Sequence, residues 1–182
     1  MRLLPAVVAL LAALAAAGCA PPRPLLPPLT PGSLGDSITV RQQLTVRFDG
    51  EVRSMQVALQ VAPTDLTLIG LTALGQRLFT LSWAGGQLAL KSRVNRIADI
   101  DPARILADLQ LAYWPLPALR AALPDSLHLE QYGTARVLWR DGELLWFASS
   151  QTANRWGSTL TLYNARLGYR LTIRPLALDG AR

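Results

Sequence analysis

Few residues in this chain are of the types that carry chemistry, and their spacing excludes most of it. His128 is the sole histidine and Cys19 the sole cysteine. A zinc site built on two histidines is therefore excluded, and the one cysteine would be unavailable to a metal if it were acylated. A serine nucleophile needs a base and an oxyanion hole, but no Gly-x-Ser-x-Gly elbow occurs, and His128 sits between Leu127 and Leu129, where a solvated strand-edge or loop position is the simpler reading. Three carboxylates, Asp99, Asp101 and Asp108, cluster around the start of a helical pattern. Asp101 is expected to cap that helix, and all three to favour the positive end of its dipole. Gly85-Gly86 reads as a turn rather than a phosphate-binding loop. The sequence predicts no catalytic residue, no metal site, no cofactor and no enzymatic activity.

Cys19 is the exception, because its setting gives it a role. Met1-Arg2 opens an uncharged apolar run from Leu3 to Ala17, the form of a signal peptide and shorter than the ~20 residues a spanning helix requires. Ala16-Ala17-Gly18-Cys19 resembles the lipobox of bacterial lipoproteins, with Ala16 standing where leucine is favoured. The resemblance implies cleavage before Cys19, acyl chains on its thiol and amine, and, with Ala20 rather than Asp following, retention at the periplasmic face of the outer membrane. The alternative is an ordinary secretory signal cut after Ala15-Ala16-Ala17, leaving a free thiol in an oxidising compartment. Residues 1–18 are thus expected to be removed, 19–32 to form a lipidated, proline-rich tether reaching about 40 Å as polyproline II, and 33–182 to fold as one domain.

The formal charge of +6 comes almost wholly from arginines, with Lys91 the only lysine. They are dispersed along the chain, which forms no nucleic-acid motif, and export would remove the access. Attraction to anionic lipid surfaces fits this balance better.

The elements that hold these residues are mainly β. Ile38, Val40, Leu44, Val46 and Phe48 alternate with Thr39, Arg41, Gln43, Thr45 and Arg47; after Asp49-Gly50, Met55, Val57, Leu59 and Val61 alternate with Ser54, Gln56, Ala58 and Gln60. This is a hairpin with one buried face. Further strands are expected over 64–71, 77–83 and 87–91, then a helix over 103–112 announced by Asp101-Pro102, and a second over 117–123. Strands over 134–139, 144–149, 159–163 and 167–173 complete the plan.

This order resembles the LolA/LolB superfamily of periplasmic lipoprotein carriers, and the run Ile69-Gly70-Leu71-Thr72-Ala73-Leu74-Gly75-Gln76-Arg77-Leu78-Phe79 is similar to the strand, loop and strand of LolB-like proteins and of a related family of outer-membrane lipoproteins. The resemblance implies a curved antiparallel sheet or half-barrel whose apolar concave face is covered by one to three helices. It also implies a membrane-anchored receptor or inserter that binds lipid or lipoprotein acyl chains and is supplied by a periplasmic carrier. Met55, Val57, Leu59, Phe79, Leu81 and Trp83, on faces expected to look inward, are the candidate pocket residues. Leu71 and Leu74 match the loop that assists membrane insertion in LolB-like proteins. A structural or assembly lipoprotein that docks an envelope partner is the alternative reading.

Overall fold

The computed structural model describes residues 24–98 and 100–176. The signal peptide, Cys19 and Asp99 lie outside the described residues.

Among the described residues ten strands form a single antiparallel, open sheet, not a closed barrel, in the order β5-β4-β3-β2-β1-β10-β9-β8-β7-β6. The first five are β1 (Ile38–Phe48), β2 (Glu51–Val61), β3 (Asp65–Leu71), β4 (Arg77–Ala84) and β5 (Gln87–Ser92). Three helices follow, α1 (Asn95–Ala98), α2 (Pro102–Tyr113) and α3 (Leu116–Ala122). The chain then returns as β6 (His128–Tyr132), β7 (Ala135–Arg140), β8 (Glu143–Ser150), β9 (Leu160–Asn164) and β10 (Tyr169–Pro175). The two halves join where β1 pairs with β10, Leu44 opposite Ile173.

Local chemistry explains the hairpins. Asp49-Gly50 and Asp141-Gly142 both take positive φ, as a two-residue turn matched to the right-handed strand twist requires. Asp101 caps α2 by accepting from Ala103 N at 2.9 Å, and Pro102 fills its first position, where a missing N–H costs nothing.

Register assigns one face of every strand to the core. Leu59 and Val61 of β2 pair with Leu68 and Leu66 of β3, and these in turn with Leu81 and Trp83 of β4, while Val57 lies opposite Gly70. In the other half, Leu160 and Leu162 of β9 and Trp146 and Ala148 of β8 share that face. Gly70 interrupts the apolar series because Phe79, directly opposite, lays its ring over it.

Three features differ from the sequence expectation. β6 was not expected: of its residues only Leu129 is buried, so five residues carry too little alternation to reveal a strand. Gln42 is a polar residue on the inner face of β1, buried because its amide donates to Tyr113 Oη at 3.1 Å. The predicted free tether also stops short of Gly32. Leu25, Leu26 and Leu34 are buried in the core, with a 3-10 turn at Pro31–Leu34. Residues 24–34 are therefore a strap laid against α2, and the folded domain begins before residue 33.

Candidate functional site

Five of the six candidate pocket residues, Val57, Leu59, Phe79, Leu81 and Trp83, are buried together on the inner face, and Met55 packs against them half-buried. The sheet thus brings them together as core. None of them lines the small cavity beside Asp108 or the groove at the β1–β2 turn, and α2 and the strap pack over them.

The strap is held by paired hydrogen bonds. The Gln110 amide accepts from Leu29 N at 3.1 Å and donates to Leu29 O at 2.7 Å, while Trp114 Nε1 donates to Ser33 Oγ at 3.0 Å. Leu26 beneath is fully buried. The cover is an apolar seam with a few directional fasteners, all of them within one chain and none covalent.

Below α2 the apolar face carries a polar insert that sequence reading placed wrongly. Asp108 lies in the seventh position of α2, beyond the first turn, so it does not serve the helix dipole as expected. The helical period turns it toward the sheet, where its carboxylate accepts from Trp146 Nε1 at 2.9 Å, Asn164 Nδ2 at 3.3 Å and Tyr169 Oη. Burial pushes its pKa up to about 6, against the opposing pull of the donors from Tyr169, Trp146 and Asn164. The Tyr169 hydroxyl is raised too, by burial first and then by the Asp108 charge. A cavity of about 20 Å³ lies beside this cluster, lined by residues that include Pro24, Leu25, Arg104 and Arg166. That is room for about one water molecule and too little for a substrate. The arrangement locks helix to sheet.

A second insert closes the far end of α2. Arg136 Nη1 donates to Leu111 O, Ala112 O and Trp114 O at 2.9, 3.3 and 2.8 Å, and its Nε to Gln131 Oε1 at 3.2 Å. Arg155 donates to Ala112 O at 3.1 Å and to Thr134 O at 2.7 Å. Two guanidiniums thus satisfy the carbonyls a helix leaves open at its C-terminus and meet the negative end of its dipole. Burial, and then the neighbouring Arg155 charge, lowers the Arg136 pKa to about 10. Tyr113 stacks on Trp156 with centroids 3.9 Å apart. No carboxylate partners either arginine in these bonds, and only spacing in three dimensions reveals the pair.

Leu74 is 89% exposed at the tip of the β3–β4 loop, which Thr72 pins through its backbone and Oγ1 to Gln76. Leu71 is half-buried where β3 ends, beside a bulge after Gly70. His128 is exposed at the start of edge strand β6. Among the described residues no group of three or more His, Cys, Asp and Glu could hold a metal ion, and no helix is long and apolar enough to cross a membrane.

No curated protein matches the chain. The family model described as "Protein of unknown function (DUF3261)" matches residues 39–177, which run from the second residue of β1 past the end of β10. Covering well over half of the sequence, that match shows that the chain belongs to the DUF3261 family.

Proposed function

We propose that this protein is a non-enzymatic lipid- or lipoprotein-handling protein, held at the periplasmic face of the outer membrane by acyl chains on Cys19. In this reading it is LolB-like: acyl chains take the place of the strap between sheet and helical cover, delivered by a periplasmic carrier and passed on to the membrane. The observation that carries it is the largely apolar inner face, closed over by a strap that is packed and hydrogen-bonded but not part of the sheet. Displacing Leu25, Leu26 and Leu29 from that face exchanges one aliphatic surface for another, so an incoming acyl chain replaces most of the burial it removes.

The shape of the sheet favours the same reading. α2 touches edge strand β5 and is hydrogen-bonded to side chains of β1, β8, β9, β10 and β7. Twelve helical residues span ~18 Å, whereas eight strand spacings from β5 to β7 in a flat sheet would span ~38 Å. A sheet curved around α2 as a half-barrel reconciles the two lengths. Leu74, exposed on its pinned loop, is the position suited to insertion into the bilayer.

Native mass spectrometry of a soluble form beginning at Ala20, secreted from bacteria behind a cleavable leader, tests the reading. Adducts with the mass of lipid acyl species are expected; a protein that is always empty, and stays so when mixed with acylated peptide, would remove it. That result would leave the docking of an envelope partner as the function of the sheet.

A further inference from the structure

The exposed apolar side chains are not scattered. The connections at 49–50, 72–76, 141–142 and 165–168 all lie at one end of the sheet, and those at 62–64, 85–86, 133–134 and 151–159 at the other. Phe48 and Val52 flank the first of these turns, 55% and 56% exposed, and Leu74 tips the second. Ile100, also exposed, precedes the N-terminus of α2 at the same end. Of the large exposed apolar residues described, only Tyr132 belongs to the opposite end.

The β1–β2 tip reaches well past the β3–β4 side of this end. Leu71, where β3 stops, is level with Gln56 and hence with Gln43 of β1, so β1 runs five residues further to Phe48. Phe48 and Val52 lie along an open groove of about 330 Å³ together with Arg47, Tyr163 and Arg170, the Arg170 guanidinium standing 5.9 Å over the Tyr163 ring. The groove also carries two acids, Asp49 and Glu51, of which Glu51 is paired with Arg53 at 2.9 Å. Aromatic and aliphatic tips ringed by arginine are the composition that settles at a headgroup boundary, apolar part inward and guanidinium at the phosphates.

The first described residues of the strap lie at this end as well. Pro24 and Leu25 lie beside Asn164, Arg166 and Leu167, next to the β9–β10 turn, while Gly32 abuts Pro63 at the other end. Pro24 is five residues from Cys19. Five residues reach at most ~18 Å even when fully extended.

We infer that this end of the sheet, through the exposed apolar side chains of Phe48 and Val52, rests on the anionic phospholipid surface of the bilayer, with the strands standing up from it. The inference relies on the reading of Cys19 as the acyl anchor; it adds a second contact point, separate from Leu74, and an orientation. The short leash and the segregated apolar tips reinforce each other: the leash keeps this end within reach of the headgroups, and the tips turn proximity into a fixed pose.

The test uses the full, lipidated chain in vesicles of phosphatidylethanolamine and phosphatidylglycerol. Phe48→Cys, Val52→Cys and Tyr132→Cys variants each receive a thiol-reactive, environment-sensitive fluorophore, the acylated Cys19 being unreactive. Flotation is measured first. Probes at 48 and 52 are expected to be quenched by nitroxide-labelled phospholipid severalfold more than the probe at 132, with the difference shrinking when phosphatidylcholine replaces phosphatidylglycerol. Equal quenching at 48 and 132 in a chain that floats would overturn the docking while leaving the anchor intact. A chain that does not float removes the anchor and the docking together. A difference that persists undiminished in phosphatidylcholine would overturn the part assigned to the arginines.

Discussion

The Gln110 side chain holds the backbone of Leu29 from both sides, accepting from its N–H and donating to its carbonyl as a neighbouring strand would. Gln110 is fully buried, so both Leu29 groups depend on it. Gln110→Ala should lower stability by about 1–2 kcal/mol, two hydrogen bonds to the half-buried Leu29 backbone being lost. Hydrogen exchange should accelerate across residues 25–34 before it does so in β1 and β2. Unchanged protection of the strap would show that its apolar residues suffice to hold it.

Asp108 predicts a pH dependence whose direction is fixed by its shift. Its carboxyl titrates near 3.8 when unfolded and at about 6 when folded, so between these values the folded state holds the proton more tightly. Its contribution to stability is full below about pH 4 and lost as pH rises through about 6, by at most about 3 kcal/mol. Asp108→Asn should flatten this part of the Tm profile relative to the parent chain. Asp108→Ala should destabilise at every pH, since Trp146, Asn164 and Tyr169 lose their acceptor. Parallel profiles for the parent and the Asn variant would contradict the assignment.

Arg136 is expected to be worth more than a surface arginine. Arg136→Ala leaves carbonyls of Leu111 and Trp114 buried at the end of α2, a loss of roughly 3 kcal/mol by urea denaturation. Arg136→Lys should lose less, since an ammonium satisfies some of these acceptors but cannot reproduce the planar fork.

Gly70 and Phe79 give the quoted Ile69–Phe79 run a physical reason. A β-carbon at position 70 would lie 2.2 Å from Phe79 Cε1, so the ring must move for any other residue to fit. Gly70→Ala should cost about 1–3 kcal/mol through displaced packing. Gly70→Ala combined with Phe79→Leu should recover part of it. Destabilisation by the double variant equal to the sum of the singles would show that the two positions are independent.

The hairpins, the order of five strands, helices and further strands, and the inward faces of β2 and β4 were legible because alternation and Asp-Gly turns are local signals. β6 was not, since its inner position Gln131 serves Arg136 rather than the apolar core. Asp108 was misread for a related reason: helical period shows which face a residue shares, but the donors waiting there come from β8, β9 and β10. The prolines around Leu25 and Leu26 suggested a free tether, and the groove that receives those leucines exists only after folding. Leu74 was legible as a loop residue, and its high exposure accords with the role proposed for it.

Leu74→Glu places a charge where insertion requires an apolar tip, on a side chain that contributes little burial. The fold should survive, with Tm within about 1 °C of the parent as for a surface substitution. Transfer of acylated cargo into vesicles should be abolished. Undiminished transfer would remove Leu74 from the mechanism.

Lipid occupancy of the secreted form beginning at Ala20 tests the central claim most directly. Native mass spectra should show acyl-bearing adducts, and Gln110→Ala, by loosening the strap, should raise their fraction. Spectra that show only the bare chain for both proteins, even after incubation with an acylated peptide, would contradict the claim that the face beneath the strap binds acyl chains.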